Sequence, residues 1–347
     1  EVYILSNKDN YFTAVQINNF STTNMLTKIS AKLENEDITI KDLSLYYASS
    51  LNSLIKKPDC SIFKKAITIK GKIKQPFTKP TFDNIHILIP ENITAALPDL
   101  KNSKADITAD VLLNGDMKAP VLTGNLNITN LSIPQYLINI KSAIFNFNKN
   151  IITARITNLK VKSMDISTDF IAPSDFLKTQ KINYIKLSSN YLDTNYLMEL
   201  MPLMKQAAYS PGVEFPYVIS NGKIYIKTWK IGDLKASNIT GDLSSQKNIL
   251  YIKNMFADTY GGKTAGKITC NLPYSSIKAE LQGRNLDAAA AAMAILPKQQ
   301  QISGKLNFDT SLDMFGTTIQ QQMKSMKGTA NVLINNGHLG QLGRFEH

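Results

Sequence analysis

The strongest constraint on this chain is a period-two alternation of apolar and polar residues, repeated from one end of it to the other. It is clear in Ile107-Thr-Ala-Asp-Val111-Leu-Leu113, Ile152-Thr-Ala154-Arg-Ile156, Ile224-Tyr-Ile226 and Ala330-Asn-Val332-Leu-Ile334. Successive side chains of a strand point to opposite faces, so such runs predict strands with one apolar face. Short turn signals punctuate them: Asn114-Gly115-Asp116, Ser220-Asn221-Gly222, Gly261-Gly262 and Asn335-Asn336-Gly337 are read as tight hairpin turns. An antiparallel sheet is the expectation.

The glycines add a longer rhythm. Gly-Lys-Ile/Leu recurs at Gly71, Gly222, Gly266 and Gly304, with related starts at Gly124, Gly241 and Gly328. From Gly222 through Gly241, Gly266, Gly283 and Gly304 to Gly328 there are five steps in 106 residues. Each step is about two strands with their turns and is read as one hairpin. Residues two and four after the glycine are mostly apolar: Leu126 and Ile128, Ile224 and Ile226, Ile268 and Cys270, Leu306 and Phe308, Ala330 and Val332. The positions between are polar (Asn125, Lys223, Lys267, Lys305, Thr329), so one face is apolar strand after strand.

The predicted fold is therefore mostly β: a long twisted antiparallel sheet of repeated hairpins, curled into an open apolar groove, with a few short amphipathic helices. Helical stripes are read over 191–209, although Pro202 interrupts it, over 286–295 with its Ala288–Ala292 run, and over 318–327. Ala172-Pro-Ser-Asp175 breaks the strand pattern and sets a soft boundary between residues 1–175 and 176–347. The residues expected to line the groove are Ile107, Val111, Leu126, Ile128, Ile224, Ile226, Ile268, Leu306, Phe308, Val332 and Ile334.

Chemistry is conspicuous by its scarcity. The histidines are His86, His338 and His347, and no G-x-S-x-G, Walker-type loop or H-E-x-x-H occurs. Carboxylate pairs such as Glu34 with Glu36, or Asp165 with Asp169, have lysines close by and read as solvated faces. Cys60 and Cys270 are too far apart in sequence to suggest a zinc framework, and Cys270 falls in an apolar slot as a packed thiol. We expect no enzyme, no catalytic residue, no cofactor and no metal.

The net charge of +12 attracts anions in general, but among 39 basic residues only Arg155, Arg284 and Arg344 carry the guanidinium fork that base and phosphate recognition favours. Nucleic acid is not the expected partner. No run of roughly 18 uncharged apolar residues is present to cross a bilayer as a helix. The sequence opens inside Val2-Tyr-Ile-Leu5 with neither an initiator Met nor a signal-type apolar segment, as expected of a piece cut from a longer protein.

Two stretches resemble the AsmA/TamB-like family. Leu113-Asn-Gly-Asp-Met-Lys-Ala-Pro-Val-Leu-Thr-Gly-Asn-Leu126, then Leu131-Ser-Ile-Pro134 and Ala143-Ile-Phe-Asn-Phe-Asn148, resemble the TamB-type repeat. Phe256-Ala-Asp-Thr-Tyr-Gly-Gly262, Ile302-Ser-Gly-Lys-Leu306 and Met326-Lys-Gly-Thr-Ala330, leading to Asn336-Gly-His-Leu339, resemble the AsmA C-terminal region. The resemblance implies a periplasmic envelope protein, held in the inner membrane by an N-terminal anchor and similar to bridge-like lipid transfer proteins. It implies a phospholipid or other acyl lipid as cargo and outer-membrane components as further partners. The competing expectation is a scaffold that pairs its strands with outer-membrane proteins during their assembly.

Overall fold

The computed structural model describes residues 2–7, 10–16, 24–34, 37–48, 64–96, 103–118, 120–194, 216–272, 274–295, 302–316 and 318–339. They form two compact units, Glu1–Leu159 with Ala172–Asp175, and Lys160–Ile171 with Phe176–His347.

The first unit carries β1 (Val2–Asn7), β2 (Asn10–Gln16), β3 (Asn24–Glu34), β4 (Asp37–Ala48), β5 (Lys64–Lys74), β6 (Thr81–Ala96), β7 (Lys104–Asp116), β8 (Val121–Ile133), β9 (Ile138–Lys149) and most of β10 (Ile151–Val161). From β1 to β9, consecutive strands pair antiparallel. Between β8 and β9 a 3-10 turn, Pro134–Tyr136, starts at a proline whose missing N–H costs nothing there.

The second unit carries most of β11 (Met164–Pro173), then α1 (Phe176–Thr179), β12 (Lys181–Asp193), β13 (Val218–Ile231), β14 (Leu234–Gln246), β15 (Ile249–Thr259), β16 (Gly262–Asn271), β17 (Ser276–Asp287), α2 (Ala288–Ile295), β18 (Ile302–Phe315), α3 (Ile319–Ser325) and β19 (Lys327–Leu339). Its strands also pair in sequence order. Among the described residues no pairing joins β19 back to β11, so this ladder is open.

The nearly all-β, mostly antiparallel expectation is met, with one departure. β12 and β13 run parallel, Lys181 beside Val218 through Asp193 beside Lys230. A parallel pair needs a long return, and residues 194–217 separate the two strands in sequence. The helix read over 191–209 is accordingly corrected at its start, because Tyr191–Asp193 end β12; residues 195–209 lie outside the described ones.

The other two helices form. At α2, Asp287 Oδ1 accepts from Ala290 N at 2.8 Å. At α3, Thr318 and Gln321 make a reciprocal capping box.

The glycine rhythm has a different origin from the one expected. Gly222, Gly241, Gly266, Gly283, Gly304 and Gly328 lie inside β13, β14, β16, β17, β18 and β19, so four of the five steps advance by a single long strand and the step from Gly241 to Gly266, across β15, by two. Likewise Asn221-Gly222 and Asn335-Asn336-Gly337 sit within strands. Gly261 does occupy a turn, with φ +73°.

Candidate apolar binding face

Residues directly opposite each other in a ladder share a face, so the register traces the apolar side across the second unit. Ile224 faces Leu187 on β12 and Gly241 on β14, while Ile226 faces Ile239. Leu243 pairs with Ile252, Ile252 with Ile268, Ile268 with Ala279 and Ala279 with Leu312. A parallel row runs Leu250, Cys270, Ile277, Met314. On the last strand Phe308 faces Val332 and Leu306 faces Ile334. The predicted lining residues Ile224, Ile226, Ile268, Leu306, Phe308, Val332 and Ile334 thus share one face.

The first unit repeats the arrangement. Ile107 pairs with Ile128, Ala109 with Leu126 and Val111 with Gly124, and the rows continue to Ala143, Phe145 and Phe147 on β9 and to Ile87 and Ile89 on β6. The predicted Ile107, Val111, Leu126 and Ile128 share that face. The two sets belong to separate units.

The in-strand glycines are what lets these rows close up. A Cβ on Gly241 would meet Ile252 Cγ2 at 3.1 Å and Ile224 Cδ1 at 3.4 Å, so both isoleucines lean over the bare backbone. Gly266 lies between Met255 and Leu281, and a Cβ there would stand 2.1 Å from the Glu280 carbonyl oxygen. The Phe308 ring lies over Gly283, its Cε1 2.1 Å from where a Cβ would be. Large side chains filling glycine slots are an aromatic- and aliphatic-rescue arrangement that suits a bent sheet.

Bulges accompany these glycines. The ladders slip between Ser237 and Thr240, between Ile252 and Met255, and between Gly283 and Leu286. At each slip an asparagine takes positive φ: Asn238 (+52°), Asn254 (+48°) and Asn285 (+59°). Asparagine tolerates this conformation because its amide bonds locally. Asn238 Nδ2 donates to Asp258 at 2.7 Å and Asn254 Nδ2 to Asp242 at 2.7 Å. Sequence reading missed these asparagines, since Asn signals a turn as readily as a bulge; their one distinguishing mark is a position inside an alternating run.

Burial changes along the apolar face. Ile226, Ile239, Met255 and Ala257 form a buried cluster with Ile224, packed by Leu187, Leu243, Ile252 and Leu281. Ile239 is 2% exposed, whereas Val332 is 61% exposed. Ile268, Leu306, Phe308 and Ile334 are half-buried.

The opposite face is charged and paired. Lys223 meets Asp242, Lys263 meets Asp258, Lys267 Nζ lies 2.9 Å from Glu280, and Arg284 Nη2 lies 2.7 Å from Asp309. The Lys223 ammonium, then Asn254, holds the Asp242 carboxyl below its ordinary range; Asn238, then Lys263, does so for Asp258. In the first unit Lys72 and Asp37 (2.8 Å) and His86 and Asp110 (2.7 Å) continue this polarity. His86, bonded to Asp110, therefore belongs to the polar face.

A hollow of about 350 Å³ is lined by Asp165, Ser189, Asn190, Tyr225, Ile226 and Asn238. Its polar groups serve the fold. Burial raises the Asp165 carboxyl, but hydrogen bonds from the Asn190 side chain and the backbone of Asn190 and Tyr191 outweigh it and leave it below the ordinary range. Cys270 is a free thiol pushed up to about 11 by burial; Cys60 lies outside the described residues. Among the described residues no group of three His, Cys, Asp or Glu could hold a metal ion, and no helix is long and apolar enough to cross a membrane. Set against protein-family models, curated proteins and solved structures, the chain matches none of them.

Proposed function

We propose that the apolar faces hold the acyl chains of a phospholipid, and that the chain is a lipid-carrying segment of an AsmA-like periplasmic protein. One observation carries this reading: in the second unit every strand from β12, with Leu187, to β19, with Val332 and Ile334, puts apolar side chains on one face, while the reverse face carries ion pairs. A face of that kind offers an acyl chain a continuous path, and each methylene moved from water onto it gains about 0.8 kcal/mol. Glycine slots and asparagine bulges support a sheet curled toward its apolar side, since both devices introduce curvature. The charged outer face keeps the trough in water without a covering layer. Transfer along such a path needs no reacting group, which fits the sparse titratable chemistry.

The test is native mass spectrometry with lipid extraction on the purified chain. Phospholipid or fatty acid should co-purify, and a Phe308→Asp/Val332→Asp variant of unchanged secondary structure should lose it. A folded chain that neither carries nor accepts lipid would overturn the reading.

A further inference from the structure

The two ends of the second unit's strands differ. One end is defined by register: Gln246 opposite Ile249, Ile249 opposite Asn271, Asn271 opposite Ser276, and Ser276 opposite Phe315. Lys327, the first residue of β19, faces Asp313 two residues before that end of β18, and Lys181 pairs with Val218 where β12 and β13 begin. The connections at this end are stitched to one another. Leu272 N donates to Asn248 O at 3.1 Å, Ser275 N to Leu272 O at 3.1 Å, Gly316 N to Ser275 O at 3.0 Å, and Val218 N to Gln180 O at 2.7 Å. Ser325 Oγ ties α3 to the Phe315 carbonyl at 2.6 Å. The result is one hydrogen-bonded rim rather than a set of independent loops.

What this rim exposes is unusual. Tyr274 is 78% exposed, Phe315 56% and Met323 55%, and Met326 stands out beside them. The same end carries the exposed lysines Lys178, Lys181, Lys247, Lys324 and Lys327, from α1 and β12 at one side to α3 and β19 at the other. Described acids at this rim are Asp313, 3.6 Å from Lys278 and opposite Lys327, and Asp175, in the turn before α1. At the other end the turns are Gly232-Asp233 and Tyr260-Gly261, with the Lys263–Asp258 pair beside them. Among the described residues, the large apolar side chains exposed beside those turns and on α2 are the aliphatic Leu234 and Met293, neither of them an aromatic ring. Large apolar side chains held out in water by a rigid frame are costly unless something covers them. Exposed aromatic and methionine side chains that share one end of a sheet with exposed lysines have the chemistry of a bilayer interface, where rings settle among headgroups and ammonium groups meet lipid phosphates.

We propose that this rim of the second unit docks on a bilayer containing anionic lipid, with Tyr274, Phe315, Met323 and Met326 entering the headgroup layer. The docking stands on the rim itself and does not require the trough. Flotation of the full chain with vesicles of phosphatidylcholine, with and without phosphatidylglycerol, tests it. The chain should float with the anionic vesicles. Lys247→Glu/Lys324→Glu/Lys327→Glu should weaken this about a hundredfold or more, because each lysine near such a surface contributes roughly a factor of five. Tyr274→Ser/Phe315→Ser/Met323→Ser/Met326→Ser should weaken it at least about tenfold while circular dichroism stays unchanged. Lys227→Glu/Lys230→Glu/Lys235→Glu, matched in charge but placed toward the other end, should bind as the parent does. Three results would overturn the proposal: no flotation of the parent, equal loss in the matched control, or binding that survives removal of the four apolar side chains. A parent chain that floats with the anionic vesicles but neither carries nor accepts lipid in its trough would count against the trough and leave the rim standing.

Discussion

Two parts of the second unit's apolar face have the same residue pattern and opposite fates. At β13 to β15, Ile226, Ile239 and Met255 are sealed in a core; at β19, Val332 is open to solvent although it sits on the same face. The inner strands have bulky neighbours on both sides that lean over Gly241 and Gly266, whereas β19 is paired on one side, by β18, among the described residues. Alternation decides which face a residue joins. Its neighbours decide how deep it lies, and only the shallow part has area left for a ligand to cover.

The sharpest way to break this comparison is to truncate both ends of it. Ile239→Ala should cost about 2–5 kcal/mol, since the cluster around it can collapse only partly. Val332→Ala should change stability by about 0.5 kcal/mol or less, as at an ordinary exposed site. Urea unfolding of the two variants checks this. Equal losses would mean that β19 is covered in solution as β13 to β15 are.

Next in size is Gly266→Val. The new Cβ would lie 2.1 Å from the Glu280 carbonyl oxygen and 3.0 Å from Leu281 Cδ2, so β17 must move as a backbone and not by a rotamer. A loss of about 1–3 kcal/mol is expected in urea unfolding. A neutral result would show that glycine there fills no structural slot and would remove one support for a curled sheet.

These glycines show how far the sequence could be read. Alternation alone located the strands and the shared face of residues as distant as Ile224 and Val332, because a period of two leaves no freedom once one face is apolar. It could not separate a glycine inside a strand from one at a turn, since Gly-Lys-Ile reads alike in both. Nor could it reveal the parallel β12–β13 pairing, where strand direction depends on a return through residues 194–217 that carries no alternating signal. The stitched rim depends on hydrogen bonds between turns far apart in sequence, such as Leu272 with Asn248, which no local pattern encodes.

A smaller stability effect separates lining from core at the open end. Val332→Asp places a charge on a mostly exposed site, and the expected cost in stability is about 0.5 kcal/mol or less. Its effect on cargo should be larger. Lipid recovered from the purified variant should fall by at least about half, as an acyl chain crossing β19 would have to desolvate the carboxylate. Unchanged recovery would confine any cargo to the strands before β19.

The smallest effect on folding, and the most local probe of the face, is the thiol of Cys270. It lies in the row Leu250, Cys270, Ile277, Met314, and burial pushes it up to about 11 from an ordinary value of 9.0. Because the folded state holds this proton longer than the unfolded state, the thiol's contribution to stability is complete below about pH 9. It is lost as pH rises from there toward 11. At pH 8 the thiolate should be about a hundredfold scarcer than in the unfolded chain, so alkylation by iodoacetamide in a Cys60→Ser background should slow by at least that factor on folding. Cargo lying over the row would slow it further, and stripping lipid from the protein would then speed it. A folded-state rate equal to that in urea would place Cys270 off the apolar face, and with it the register that joins β15 to β18.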